Sequence, residues 1–290
     1  MSKFTLSPAV RNMLAATFFF ALMNVCIKKM SHIPPMEIVF FRCVISMLFC
    51  YAIIFNEKLD WRGSNSSMLL ARGVAGTVAI YTYFITIQKI SLGTAVTIQY
   101  TSPIFTTLIA AYILKERVKP VQYLFFALSF VGVLIIKGFD KHISVTYLAI
   151  GIFSAMASGV AYNLVRSLRE KEHPIVVVLH FQLVGVVVGF IGCLFAWQIP
   201  QGIDWFYLFL IGVFTQLGQT ALTKSLQAER VAITSSLNYL GILYAIVFGV
   251  WFFGESYIAT TLSGIALVVV GVVLNVVFGN KEPMKTMVDE

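Results

Sequence analysis

Two arginines, Arg42 and Arg72, stand inside long apolar runs of the sequence. A charge in the bilayer core costs at least about 3 kcal/mol on insertion scales, so such a residue faces the bundle interior or a cavity. There a guanidinium attracts an anionic group. Arg72 has a second reading: it falls about one turn into its run, from where its long side chain can snorkel to cytoplasmic headgroups. Arg42 lies deeper, about six residues in. Uncharged polar residues gather in three further runs. One carries Thr97, Gln99, Tyr100, Ser102, Thr106 and Thr107, and another Ser235, Ser236, Asn238, Tyr239 and Tyr244. In the third, Gln216, Gln219, Thr220 and Thr223 recur at i, i+3, i+4 and i+7 and so share one helical face, as the wall of a wet cavity would. With Asn24 and Asn163, the substrate-binding candidates are Asn24, Arg42, Arg72, Gln99, Tyr100, Asn163, Gln216, Gln219, Asn238 and Tyr239. Hydrogen bonding between helices, at about 0.6–2 kcal/mol per contact, is the competing use of these side chains.

Other chemistry is missing. No Asp or Glu lies in the middle third of any run, so no relay carboxylate offers itself. That favours facilitated diffusion or exchange, unless Glu37, Glu116, Glu255 or His180 carries protons at a rim. Asp60, Asp140, Asp204 and Asp289 fall in loops or the tail, and no HExxH, GxSxG or P-loop occurs. Neither catalysis, a metal nor a cofactor is expected. Cys26, Cys43, Cys50 and Cys193 lack CxxC spacing and read as buried small hydrophobes. Glu116 and Glu255, at the C-terminal ends of runs where a carboxylate opposes the helix dipole, read as hinge or gate residues.

The elements that hold these residues follow from composition. Of 290 residues, 59% are apolar and 12% charged, and mean hydropathy is +0.87. A water-soluble enzyme, a disordered chain and a secreted scaffold are excluded. The net charge of +8 forms no basic patch for nucleic acid, because the Lys and Arg punctuate the apolar runs. Breaks at charged or Pro/Gly clusters predict ten helices, at 10–27, 37–56, 68–88, 92–114, 120–137, 145–166, 175–197, 204–224, 231–253 and 258–278. Spans of about 20 residues leave about nine per connection. With the N-terminus inside, fourteen flanking Lys and Arg lie on the inner side. Five (Lys28, Lys29, Lys89, Lys137 and Lys141) lie outside, so both termini are expected in the cytoplasm. The lipid bilayer is then the main environment. Short loops argue against large protein partners and leave a homodimer open.

The chain also repeats itself. At one offset, 139 residues, Asn24 meets Asn163, Pro35 meets Pro174, Gly73 meets Gly212 and Gln88 meets Gln227. Tyr100 meets Tyr239, Glu116 meets Glu255 and Gly132 meets Gly271. The copies are 10–139 and 149–278, followed by a cytoplasmic tail, 279–290. Five spans is an odd number, so the second copy enters the membrane from the other side. An inverted-topology repeat of this kind supports alternating access around a site at the interface of the halves. Repeat-related Gln99/Asn238 and Tyr100/Tyr239 are expected to face one another there. Pro103 has Ile242 as its counterpart, so the two central helices need not bend alike.

Several segments resemble the EamA-type repeat of the drug/metabolite transporter (DMT) superfamily. In the first copy these are Ala71-Arg72-Gly73 through Tyr83-Phe84, Ser102-Pro103-Ile104-Phe105 through Leu114-Lys115-Glu116-Arg117, and Gly132-Val133-Leu134-Ile135. In the second they are Gln216-Leu217-Gly218-Gln219, Asn238-Tyr239-Leu240-Gly241 and Phe253-Gly254-Glu255. The resemblance covers roughly residues 10–278 and implies an all-α membrane protein of ten transmembrane helices, both termini cytoplasmic, around a central cavity. Residues and resemblance together predict a secondary transporter in a bacterial-type inner (cell) membrane. Its small-molecule substrate is expected to be a polar, anionic or zwitterionic metabolite: an amino acid, a carboxylate or a nucleotide-like compound. The alternative is an exporter of aromatic or cationic amphipaths, which the 25 Phe and 12 Tyr would suit.

Overall fold

The computed structural model describes residues 8–113, 119–139, 144–169, 171–228 and 240–279, and every regular element among them is an α-helix. In chain order these are α1 (Pro8–Lys29), α2 (Pro35–Glu57), α3 (Ser66–Lys89), α4 (Leu92–Gln99), α5 (Ser102–Ile113) and α6 (Pro120–Phe139). There follow α7 (Val145–Ser167), α8 (Pro174–Cys193), α9 (Asp204–Ala228), α10 (Leu240–Phe253) and α11 (Ala259–Gly279). Proline opens α2, α6 and α8, where its missing N–H is no loss. Asn65 caps α3 by accepting from the Met68 N–H at 3.2 Å. Among the described residues, α1, α2, α3, α7, α8 and α9 are each long and apolar enough to cross a membrane, and α6, α10 and α11 are shorter apolar helices. Candidate residues Asn238 and Tyr239, and Glu116, lie outside the described residues.

The predicted span 92–114 is two helices, broken at Tyr100 and Thr101. Pro103 explains the break. It has no N–H for the carbonyl four residues back, and its ring clashes with that carbonyl, which belongs to Gln99, the last residue of α4. Span 231–253 is described from α10 onward; its first residue, Leu240, is the repeat counterpart of Thr101.

Contacts establish that the copies are inverted. The repeat-related helices α2 and α8 pack together with Met36 against Gly192, Phe40 against Gly189 and Cys43 against Gly185. Further along, Ser46 meets Gln182 at 2.9 Å. Residue numbers rise along one helix as they fall along the other, so two copies of one element run antiparallel. The pair α6 and α11 repeats this, from Gln122 with Asn275 at 2.9 Å to Gly132 against Gly264. There the Ser129 hydroxyl meets the carbonyl of Val268, its own counterpart 139 residues on, at 3.5 Å. The other helices exchange partners: α1 packs on α9, and α7 on α3. Matched contacts follow, Gly73 against Val184 and Gly212 against Ile45. Likewise Gln88 donates to the Ile33 carbonyl (3.0 Å) and Gln227 to that of Glu172 (3.5 Å).

Two apolar clusters fill the bundle. One, with Met13, Cys50, Leu69, Leu168, Val177 and Leu222, gathers the ends of α1, α2, α3, α7, α8 and α9 expected at the cytoplasmic face. The other, with Ile27, Ile38, Phe84, Leu92, Ile98 and Ile242, fills the opposite half. Side chains such as Leu134 (65% exposed) turn outward to lipid.

A Cβ at Gly132 would stand 2.7 Å from the Gly264 carbonyl oxygen and 2.8 Å from the Val268 nitrogen, backbone that cannot step aside. Gly132→Val is therefore expected to cost about 1–3 kcal/mol by overpacking and to lower the thermal unfolding midpoint in detergent. Leu134→Ala, on the lipid-facing side of the same helix, should leave that midpoint nearly unchanged.

Candidate functional site

A cavity of about 100 Å³ lies between the two apolar clusters, at the break between α4 and α5. That volume holds several waters, so a metabolite would have to part its walls. Of the sequence candidates, Asn24 (α1), Arg72 (α3), Gln99 and Tyr100 (the break) and Gln219 (α9) line it. Phe20, Tyr83, Ser158, Tyr162 and Phe181 complete much of the wall.

Arg72 does not snorkel. It is 3% exposed and its guanidinium carbon stands 4.3 Å from the centre of the Phe181 ring. Gly76, one turn on, leaves the space that Nη1 fills. Nε and Nη1 have no hydrogen-bond partner among the described residues. Arg42, fully buried, lies against the same ring at 5.0 Å. Its Nε donates to the Thr215 hydroxyl at 3.0 Å, and Nη2 has no partner among the described residues. Both guanidiniums lie so close to one centroid that they are within about 9 Å of each other. At an effective dielectric of 20, that repulsion is about 2 kcal/mol. The ion pairs among the described residues are Lys28–Glu255 and His32–Asp204, so neither arginine is matched by a carboxylate there.

The remaining walls carry unpaired acceptors. Asn24 donates to the Tyr83 hydroxyl at 3.0 Å, and neither its Oδ1 nor Gln219 Oε1 has a partner among the described residues. Gln99 is fixed at both ends: Nε2 donates to Ser158 at 2.7 Å and Oε1 accepts from Ser154 at 2.9 Å. The site thus offers cationic donors on one side and neutral acceptors on others, a pattern that matches an anionic group with a nearby N–H or O–H.

Three candidates stand elsewhere. Arg42 lies against Phe181 but is not among the residues that line the cavity. Asn163 gives its amide to the carbonyls of Thr106 (2.9 Å) and Gly159 (3.2 Å), a helix-bridging use. Gln216 accepts from Ser46 at 2.6 Å and donates to Thr220 at 3.1 Å, so it faces α2 while Gln219, three residues on, faces the cavity. Phe181 was missed by residue type, although a signal existed: it is the repeat counterpart of Arg42. Tyr83, Ser158 and Tyr162 carried no periodic signal.

A polar cluster ties the halves together at the end expected outside. Gly254, at φ +60°, ends α10 and turns Glu255 back toward α4. The Glu255 carboxylate accepts from the Leu92 N–H at 2.9 Å, which satisfies the start of α4. It pairs with Lys28 at 2.9 Å and accepts from the Tyr257 hydroxyl. Lys28 also donates to the Ile90 carbonyl at 2.6 Å, just past the end of α3. Burial and the neighbouring carboxylate raise the Tyr257 phenol above its ordinary range, so it stays a neutral donor.

Comparison with known proteins adds the family. The profile of the EamA-like transporter family matches twice, at residues 8–138 and 145–277. The pseudopaline exporter CntI of Pseudomonas aeruginosa is 31% identical over 88% of this chain and 91% of its own length. Human solute carrier family 35 member G1 is 27% identical over 88% of this chain and 75% of its own. A solved crystal structure that is 15% identical superposes with a TM-score of 0.68, covering 95% of this chain and 98% of the other, and shares the fold.

Glu255→Gln keeps the shape of the cluster and removes its ion pair, a loss of about 2 kcal/mol for a partly buried, hydrogen-bonded charge. Cys26, buried at 6% exposure two residues from Lys28, reports the result. Its labelling by a membrane-impermeant maleimide is expected to rise severalfold, and unchanged labelling would mean that apolar packing alone holds this end.

Proposed function

The chain belongs to the EamA-like transporter family and is a multi-pass membrane transporter of the DMT superfamily, and from that premise we propose that it carries a small anionic or zwitterionic metabolite by alternating access. The carrying observation is Arg72, a buried guanidinium with two nitrogens unpartnered among the described residues, in the wall of a cavity at a broken helix. Arginine does not give up its proton in proteins, and a desolvated charge is stabilised by an ion brought to it. Unpaired Asn24 Oδ1 and Gln219 Oε1 favour a solute that also has hydrogen-bond donors, such as an amino acid or a hydroxy- or amino-carboxylate.

Alternating access draws support from the inverted copies. The Lys28–Glu255 cluster joins α1 and α4 to the turn after α10 and would have to part when the cavity faces outward. Placement in the bacterial inner membrane fits the bacterial exporter among the relatives, which also favours outward movement. A cationic amphipath would meet Arg72 at the wall, so the drug-efflux alternative is the weaker reading.

Thermal unfolding of the purified protein against amino acids, carboxylates, nucleotide-like metabolites and cationic dyes tests the proposal. A ligand at about 100 times its Kd stabilises by about 2.7 kcal/mol. Stabilisation by an anionic class is expected, lost in Arg72→Gln and matched by saturable flux in proteoliposomes. Response to the dyes alone would overturn it.

A further inference from the structure

We propose that the preferred solute carries two negative charges, one bound by Arg72 and the second held by the field of Arg42 beside Phe181. This rests on the anionic reading above and sharpens it. Both arginines come from the first copy; their counterparts in the second are Phe181 and Ile211, so nothing in the repeat balances them. The pseudo-twofold axis instead brings Arg42 onto its own counterpart, and Arg72 reaches the same ring from the cavity side. One aromatic face attracts a cation but supplies no net charge. Thr215, the hydrogen-bond partner of Arg42, is neutral, and neither guanidinium meets a carboxylate among the described residues.

A single anion on Arg72 would therefore leave one uncompensated positive charge within about 9 Å. A dianion cancels both. Arg42 has no exposed atoms, so it acts as a positioning and selectivity residue through space rather than as a contact. Charge number, more than carbon skeleton, then ranks the cargo.

Glutarate, its monoamide and its diamide keep one skeleton and carry two, one and no charges at pH 7.5. Their affinities are measured by thermal stabilisation and by inhibition of flux at constant ionic strength, because salt screens such differences. Glutarate is expected to bind about tenfold more tightly than the monoamide. Arg42→Gln should remove most of that preference, whereas Arg42→Lys, which keeps the charge, should retain it and control for loss of folding. Equal binding of glutarate and monoamide would overturn the dianion proposal while leaving the anionic reading intact. Equal response to all three would sink the anionic reading itself, and response to none of them beside stabilisation by another anion would overturn the ranking by charge number.

Discussion

A guanidinium buried inside a membrane bundle cannot shed its proton and is cut off from bulk solvent, and the surroundings of Arg72 are organised by that constraint. Phe181 lays its electron-rich face beside two such groups. Gly76 yields the volume that Nη1 fills, and Thr215 accepts from Arg42. These contacts lower the cost of the charges without cancelling it. What they leave is a region of positive potential deep in a low-dielectric bundle, and such potential acts on small ions over several ångströms.

The backbone meets a parallel constraint. In a bilayer every N–H and C=O must be satisfied within the protein, so a broken helix is tolerated where protein or a cavity surrounds it. Pro103 makes the break, and the residues beside it, Gln99 and Tyr100, form part of the cavity wall. The start of α4 is satisfied by Glu255, from the other copy. A short helix thus depends on the opposite half of the molecule at its outer end and on the cavity at its inner one. It couples the two mechanically, since its outer cap cannot move without freeing a donor.

Much of this was legible in the sequence. Long apolar runs survive any detail of packing because bilayer thickness sets their length, and the 139-residue offset survives in a few shared landmarks such as Pro35/Pro174, Gly73/Gly212 and Gly132/Gly271. Costly polar residues in a membrane were also readable, and Asn24, Arg72, Gln99, Tyr100 and Gln219 lie together at the cavity. Sequence could not say that Gln216 and Gln219, on one helical face, point to different neighbours. A stripe about 100° wide is broad enough to meet both a helix and a void. Nor could it rank the aromatics: among 25 Phe and 12 Tyr, membership of the wall depends on where helices cross. Phe181 was the exception, because antiparallel packing of repeat-related helices makes residues near the axis meet their own counterparts. The break at Tyr100 was only half readable, since Pro103 announces a bend but not that α4 ends four residues before it.

The Ser129–Val268 contact has a historical consequence. Where two repeat-related residues touch on the axis, an undivided ancestor would have met an identical copy of itself, running the opposite way. A five-span chain can form that pair only if it inserts in both orientations, which requires few positive charges to distinguish its faces. In the sequence, fourteen Lys and Arg flank the apolar runs on one expected side and five on the other. Such a bias is incompatible with insertion in both orientations, and a covalent link that fixes each half's direction permits it. The same fusion freed the halves to differ, and a lone arginine facing its own former twin, now phenylalanine, is a difference that no symmetric pair could hold.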